Sequence, residues 1–337
     1  METENLSPVA KLSNGLKQTV KQLKEKLENV VRLSNAQGML FSGGLDTSIL
    51  LSLRTDIKAI NVSLESYGVD SQYARIVIES LGVSEFYEKV VKVDEAIASI
   101  PTVIRVLKSF DPAIPNDLAV YSGLKFAKDM GLGEVMTGDG ADELFAGYDF
   151  MNPARAGTDG VKNIEDVDRY IKRIAKSMSF GSNELGNFFN IRIKQPYLQE
   201  SFSDFALNIP PEFKIKEENG KACGKWILRK AFEDSLPYQI IWQNKRPLEY
   251  GSGMSKLREI IASTISDQEF RQTSKLCPVK FFNKEHLYFY EIYRKEVGEI
   301  PQVKENQKRC PGCGAGMKLD SFHCKVCGHV LARDKNL

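Results

Sequence analysis

The chain has 337 residues, too long for one small module and long enough for a large hydrophobic core with an appendage. Hydrophobic residues make up 42% and charged residues 27%, values typical of soluble globular proteins, which excludes wholesale disorder and fibrous repeats. A formal net charge of +2 favours no polyanionic partner. Because no apolar run approaches the roughly 20 residues that cross a bilayer, and METENLSPVAKL lacks the apolar stretch of a secretory signal, we expect a cytoplasmic protein without a membrane partner.

Residues 1–35 predict one amphipathic helix that packs on the domain after it. Apolar residues recur there at three- and four-residue steps, and the opposite face is rich in Lys and Glu. The apolar positions are Leu12, Leu16, Val20, Leu23, Leu27 and Val30.

Residues 36–150 alternate short apolar runs with helical patterns. The apolar runs predict strands at 38–41, 57–64, 86–91 and 134–137. The helical patterns between them predict helices at 47–53, 71–81, 94–109 and 117–130. Such alternation predicts a parallel sheet with right-handed crossovers and helices on both faces.

After Tyr148 the strand signals fade, and helical periodicity persists, so 151–300 is predicted to be mainly helical. Residues 301–309 are polar and charged, which predicts a linker, and a cysteine-rich unit follows at 310–330. The expected fold class is therefore α/β: a parallel five-stranded sheet with helices on both faces, then a helical subdomain and a small ribbon.

A glycine loop follows the first predicted strand, where open α/β sheets bind ligands. Its residues are Ser42, Gly43, Gly44, Leu45, Asp46, Thr47 and Ser48. The glycines allow close backbone approach to an anion and the hydroxyls add donors beside a helix N-terminus, so the loop should cradle phosphate. It matches neither the Walker A loop nor the dinucleotide fingerprint. Asp46 would repel phosphate unless a cation such as Mg²⁺ lay between them.

A second loop, 137–148, carries three acids and three glycines at the end of a later strand. Parallel strands end along one edge, so this loop can face the first. Asp142 could then share the metal with Asp46, while Asp139 could contact substrate or accept a proton, and Gly138 would lie beside the nucleotide. The alternative for either loop alone is a glycine-rich turn with a local cap.

These residues carry a resemblance. The stretch 42–48 resembles the pyrophosphatase loop of the N-type ATP pyrophosphatases, and 138–148 resembles the second signature of the asparagine synthetase and β-lactam synthetase branch. Further matches follow in the family's order. They are Gln195-Pro196-Tyr197-Leu198, Lys225-Trp226-Ile227-Leu228-Arg229-Lys230-Ala231-Phe232, Leu236-Pro237 and Ile241-Trp242-Gln243-Asn244-Lys245.

The resemblance implies an asparagine synthase-like ligase that uses ATP and Mg²⁺. Such an enzyme adenylates a carboxylate, releases pyrophosphate, and transfers ammonia to give an amide and AMP. Aspartate is the leading candidate acceptor. Lys245 matches the family's lysine near the phosphates, Asp139 matches its acid near the reacting centre, and both are expected to be catalytic. The alternative for Lys245 is a solvated side chain beside Arg246.

Two departures from the family pattern change these expectations. Glu2 follows Met1 where glutamine-dependent members expose a catalytic cysteine, so we expect free ammonia, a separate glutamine amidotransferase subunit or an amine-bearing substrate to supply nitrogen. Residues 192–199 also replace two family acids by Arg192 and Gln199 and an arginine by Lys194, which puts aspartate as acceptor in doubt. The turn 250–253 could be a further anion site or a plain loop.

Two C-x₂-C-G knuckles separated by ten residues predict a structural zinc ribbon. The expected ligands are Cys310, Cys313, Cys324 and Cys327, whose four thiolates would close a tetrahedral site. An iron–sulfur cluster or disulfides remain alternatives, and His323 and His329 could substitute. Basic residues around the knuckles leave RNA open as a partner, although such a charge run is usually a solvated face.

Three other residues are predicted to be core residues. Cys223 and Cys277 are isolated from the knuckles, and His286 has aromatic neighbours.

Two rival functions are weighed against the ligase. A tRNA-modifying pyrophosphatase-loop enzyme would share the nucleotide loop and the zinc knuckles. A non-catalytic scaffold could retain the nucleotide fold, but the retained Asp46, Asp139, Asp142 and Lys245 argue against it.

Overall fold

The computed structural model describes residues 12–154 and 161–331. The first 11 residues of the predicted N-terminal segment, Glu2 included, lie outside that range. One parallel sheet contains the strands β1 (Gly38–Leu40), β2 (Lys58–Leu64), β3 (Phe86–Val91), β4 (Glu134–Met136) and β5 (Arg192–Lys194). Their order in the sheet is β3-β2-β1-β4-β5. The predicted five-stranded α/β fold is confirmed, and the order reverses between β1 and β4, which opens a crevice at their carboxyl ends.

The helices account for most of the remaining described residues. In the first half they are α1 (Asn14–Arg32), α2 (Leu45–Leu53), α3 (Asp70–Leu81), α4 (Val93–Leu107), α5 (Ile114–Asp129) and α6 (Ala141–Leu144). In the second half they are α7 (Ile164–Ser177), α8 (Gly181–Phe189), α9 (Glu200–Leu207), α10 (Pro211–Lys214), α11 (Trp226–Phe232), α12 (Tyr238–Ile241), α13 (Leu248–Gly251), α14 (Lys256–Ser263), α15 (Asp267–Leu276) and α16 (Lys284–Glu296). None of the described helices is both long and apolar enough to cross a bilayer.

Within the predicted segment 1–35, the structure has the helix α1 at Asn14–Arg32. Its apolar stripe is buried against α9 and α11, and Leu23 and Leu27 are fully inaccessible. Burial of each such leucine stabilises the fold by about 1.5–3 kcal/mol. Lys24 on the flank donates a hydrogen bond to the Ser235 hydroxyl at 3.1 Å, which fixes the register of the helix on the domain.

The strand β5 lies inside the stretch predicted to be helical, so the sequence pattern missed it. Three residues are too few to show an alternating pattern. The strand pairs with β4 at the sheet edge, where exposed Arg192 contacts Glu134 at 2.7 Å. Charged residues on a short edge strand discourage further strand pairing. Another unpredicted pair is the hairpin β6 (Lys216–Glu218) and β7 (Lys221–Cys223).

The cysteine-rich ribbon packs firmly on the α/β domain. Its hairpin pairs β8 (Gln307–Arg309) with β9 (Gly316–Lys318), so the last three residues of the predicted linker form a strand. The Phe110 amide donates to the Val326 carbonyl at 2.8 Å, and all four cysteines belong to one hydrophobic cluster with α4, α5 and α16. Because that core is shared, the ribbon is an integral part of the fold.

Of the three other residues predicted to lie in the core, His286 is buried and the two cysteines are not. His286 is fully buried and stacks on Phe110 and Phe282, as predicted for a core residue. Cys223 and Cys277 are only half-buried, so the prediction of fully buried core cysteines was wrong. Each packs at the edge of a hydrophobic cluster, where part of the side chain remains accessible.

Lys214 should destabilise the protein at neutral pH. The residue is fully buried, and its ammonium has no hydrogen-bond partner among the described residues. Burial lowers the pKa of Lys214 from 10.5 to about 8, the Asp168 carboxylate opposes this, and the Lys172 ammonium reinforces it. Folding therefore favours the neutral amine, and stability is lost as the pH falls from about 10.5 to about 8.

We expect Lys214→Met to raise the free energy of unfolding by about 2 kcal/mol at pH 7 and by less than about 1 kcal/mol near pH 10. Urea denaturation at both pH values measures this difference. The exposed Lys221→Met serves as control and should change little. An equal gain at both pH values would show that charge burial is not the cause.

Candidate functional site

The loop between β1 and α2 contains a position that only glycine can occupy. Gly43 has φ +74°, and a Cβ there would lie 2.5 Å from the Ala74 amide nitrogen. The Ser42 hydroxyl accepts from the Gly44 amide at 3.2 Å and lies 3.2 Å from the Thr47 hydroxyl. These contacts hold a tight turn at the N-terminus of α2, the arrangement expected of an anion-binding loop.

The loop after β4 contacts this turn directly. A Cβ on Gly138 would lie 3.1 Å from the Thr47 methyl group and 3.3 Å from the Asp46 Cβ. Tyr197, which follows β5, donates its hydroxyl hydrogen to the Asp46 carbonyl at 3.0 Å. Three strand ends therefore meet at the crevice where the strand order reverses.

Two carboxylates and two lysines form the centre of the site. The Lys225 ammonium lies 2.7 and 2.6 Å from the two Asp46 carboxylate oxygens and 2.8 Å from Asp142 Oδ1. The Lys245 ammonium lies 2.5 Å from Asp142 Oδ2. Both acids predicted to share a metal are thus within contact distance of one cation.

Lys225 is a central site residue that sequence reasoning missed. In the sequence, Lys225 was noted only as the first residue of the motif match at 225–232. In the structure it is 3% exposed and its side chain bridges both loops. Its backbone has φ +55°, and its amide donates to the Phe145 carbonyl at 2.8 Å, so the chain makes a turn that aims the side chain inward. Its partner Asp46 is 179 residues away, and no local pattern reports such a contact.

The charges in this cluster shift one another's protonation. Burial raises the pKa of Asp142, but the Lys225 and Lys245 ammonium groups outweigh it and hold that pKa well below its usual range. Burial lowers the pKa of Lys245, but the Asp142 and Asp46 carboxylates outweigh it and raise that pKa. At neutral pH the carboxylate of Asp142 and the ammonium of Lys245 are therefore both charged.

Asp139 is held by three neutral donors on a single oxygen. The Thr137 and Ser182 hydroxyls donate to Oδ2 at 2.7 and 2.6 Å, and the Gln195 amide donates at 2.9 Å. These three donors fix the orientation of the Asp139 carboxylate, as a positioned acid or base requires.

The charge of Asp139 also acts on Asp117. Burial, followed by the Asp111 charge, raises the pKa of Asp117 to about 8.

A cavity of about 220 Å³ joins these groups. Nine of the predicted site residues line it: Ser42, Gly44, Leu45, Asp46, Thr47, Gly138, Asp139, Asp142 and Lys245. Gly43 shapes the turn behind it, and Ser48 is fully buried. In the predicted anion turn 250–253, Ser252 lines the cavity whereas Tyr250 is 56% exposed.

A further ion pair, between Asp70 and Arg246, also lines the cavity. Asp70 is 7% exposed and lies 3.1 Å from the Arg246 guanidinium. Burial raises the pKa of Asp70 to about 6, against the opposing charge of Arg246. Apolar side chains of Leu40, Ile60 and Val62 line the wall nearby and give it a mixed character.

The four cysteines of the ribbon converge as predicted. Their sulfur atoms all lie within 4.8 Å of one another, with Cys310 and Cys327 3.6 Å apart and Cys313 and Cys324 3.8 Å apart. Tetrahedral Zn–S bonds of about 2.3 Å require sulfur separations of about 3.8 Å, so the residues fit a zinc ion. His323 instead pairs with Asp111 at 2.9 Å.

Comparison with known proteins gives one consistent result. A model of the asparagine synthase family matches residues 21–190 and 188–295. Asparagine synthetase [glutamine-hydrolyzing] 1 of Arabidopsis thaliana is 27% identical over 277 residues, which are 76% of this chain and 47% of that protein. Asparagine synthetase B [glutamine-hydrolyzing] of Escherichia coli K12 is 27% identical over 310 residues, 84% of this chain and 55% of that protein.

The chain therefore spans about half the length of the curated relatives it matches. Among solved structures, NMN synthetase from Francisella tularensis aligns with 86% of this chain and 98% of its own, at 12% identity and a TM-score of 0.28. That score is too low to support a comparison.

We expect Gly147→Ala to distort the lysine–carboxylate cluster. A Cβ there would lie 1.9 Å from Asp142 Oδ1 and 2.3 Å from Lys225 Cε, both buried, so the free energy of unfolding should fall by about 2 kcal/mol. Gly15→Ala is the matched control, because nothing lies within 4 Å of its added Cβ. Urea denaturation compares the two, and equal stability of Gly147→Ala and wild type would contradict the close packing.

Zinc content tests the ribbon. We expect one equivalent of zinc per chain by mass spectrometry, lost in Cys324→Ser and retained in Cys277→Ser, because only the former removes a thiolate from the four-sulfur cluster. Since the ribbon shares a core with α4, α5 and α16, chelation should also lower the melting temperature of the whole protein. Zinc retention by Cys324→Ser would contradict this assignment.

Proposed function

This chain belongs to the asparagine synthase family, and on that premise we propose that it is an ATP-dependent, amide-forming carbon–nitrogen ligase that releases AMP and pyrophosphate. The observation that carries the proposal is the cluster of Asp46, Asp142, Lys225 and Lys245 at one strand-end crevice. Alternating charges of this kind suit a polyanion bound with a metal.

The phosphate loop and the two lysines have complementary roles in the proposal. Ser42 and Thr47 stand beside the N-terminus of α2, where hydroxyls and backbone amides favour phosphate oxygens. Asp46 and Asp142 would hold Mg²⁺, since carboxylate oxygens are the ligands it prefers, and this ion would neutralise phosphate charge when bound. Lys225 and Lys245 would then be free to contact phosphate oxygens and stabilise the leaving pyrophosphate.

Two steps follow from these contacts. In the first, a substrate carboxylate oxygen bonds to the α-phosphorus, the bond to the bridging oxygen breaks, and pyrophosphate leaves. In the second, an amine nitrogen bonds to the acyl carbon, the acyl–oxygen bond breaks, and AMP leaves. Asp139, fixed by its three donors and lining the cavity, would accept the proton that the amine loses.

Aspartate is the leading candidate for the carboxylate, and ammonia for the amine. The two relatives described above are both named asparagine synthetases. Two of the departures, Arg192 and Lys194, bear on this less than their chemistry suggests, because they contact Glu134 at 2.7 and 3.3 Å on the sheet edge. Gln195 in the same stretch does reach the site, since its amide fixes Asp139 beside the cavity. A separate glutamine amidotransferase subunit would be an alternative source of ammonia.

Pyrophosphate release tests the proposal. We expect release from ATP and Mg²⁺ with aspartate and ammonium, and Asp46→Asn or Asp142→Asn should lower it by at least about 100-fold, because removing a metal ligand leaves phosphate charge uncompensated. Asp56→Asn is the control, a 70% exposed carboxylate paired with Arg54 that should leave release unchanged.

A panel of other carboxylates, each with and without ammonium, decides the acceptor. Faster pyrophosphate release with another acid would make that acid the acceptor in place of aspartate and would leave the proposed ligase activity unchanged. No release with any acid would overturn the ligase itself.

A further inference from the structure

The segment 242–247 links α12 to α13 along the wall of the cavity and carries Lys245. Lys245 has a 26% exposed side chain and reaches Asp142 across the site. A long flexible side chain on a connecting segment holds its position only if the segment itself is fixed.

The residues on either side of Lys245 fix the segment in two places. The Gln243 amide donates to the Gly43 carbonyl at 3.2 Å, which ties the segment to the phosphate loop. The Arg246 guanidinium donates to the Gln243 side-chain oxygen at 3.2 Å and lies 4.0 Å from the centre of the Tyr73 ring. Arg246 therefore holds the Gln243 side chain in place and also packs on the Tyr73 ring of α3.

The third contact makes this arrangement hard to undo. Arg246 lies 3.1 Å from Asp70, which is 7% exposed, so withdrawal of the guanidinium would leave a buried carboxylate without its charge partner. Gly251 leaves room for that carboxylate, since any side chain there would place its Cβ 1.6 Å from Asp70 Oδ2. The Val69 amide also donates to the Gly251 carbonyl at 3.0 Å, so the start of α3 and the end of α13 are joined.

We infer that Asp70, Gln243 and Arg246 form a clasp that positions the Lys245 ammonium over the Asp142 carboxylate and the phosphate loop. The three act through Lys245 as positioning residues. The assignment of Lys245 to the phosphates rests on the proposed function, whereas the clasp itself is a property of the protein without ligand.

Lysine acylation followed by mass spectrometry tests the clasp on the protein without ATP. In Arg246→Ala we expect the acylation rate of Lys245 to rise at least about fivefold, because a loosened segment exposes the amine more often. Lys225, 3% exposed and held by other contacts, should keep its low rate in the same sample. Arg192→Ala is the matched control, since Arg192 is paired with Glu134 away from the segment.

Two milder variants guard against misfolding. Asp70→Asn keeps the side-chain shape and removes the charge, and Gln243→Ala removes the tie to Gly43; each should raise Lys245 acylation with an unchanged far-ultraviolet spectrum. An unchanged Lys245 rate in folded Arg246→Ala, or an equal rise at Lys225, would overturn the clasp.

A double-mutant cycle on pyrophosphate release adds the functional readout. If Arg246 acts through Lys245, Arg246→Ala should lower kcat in wild type and have little further effect in a Lys245→Ala background. Additive losses would overturn a positioning role. Because acylation needs no substrate, increased Lys245 exposure without measurable pyrophosphate release would support the clasp and contradict only the proposed ligase.

Discussion

One ammonium group, that of Lys225, lies between the carboxylates of two loops that are far apart in the chain. A buried charge is costly unless an opposite charge is close, so the Lys225 ammonium offsets the charges of Asp46 and Asp142, and these carboxylates in turn make the buried ammonium tolerable. The parallel sheet supplies the geometry, because β1 and β4 are neighbours whose carboxyl ends open on one crevice. The site and the fold therefore depend on the same contact.

Much of the α/β half could be predicted from the sequence, because its signals are local. The apolar runs at β1, β2, β3 and β4 and the glycines after two of them predicted both the sheet and the facing loops. Strand β5 and Lys225 could not be predicted in this way. A three-residue edge strand has no periodicity, and the role of Lys225 comes from partners brought close only by the folded chain.

The structure of the ribbon could likewise be predicted only in part. Its four cysteines lie within one short stretch, so their spacing alone predicted the sulfur cluster. Its docking on α4, α5 and α16 was not predicted, because the Phe110–Val326 hydrogen bond spans most of the chain. Gln195 shows the intermediate case: the sequence placed it in a stretch that resembles the family, but only the hydrogen bond to Asp139 explains what the amide does there.

The shared core of the ribbon has a consequence for how the polypeptide matures. The cluster that contains Leu64, Ile100 and Phe110 also contains Cys324 and Cys327, so a nascent chain on the ribosome cannot complete that cluster until its late residues have emerged. Contacts of such long sequence separation slow folding and leave apolar surface transiently uncovered. Metal supply during translation would then influence how much of the newly made polypeptide escapes aggregation.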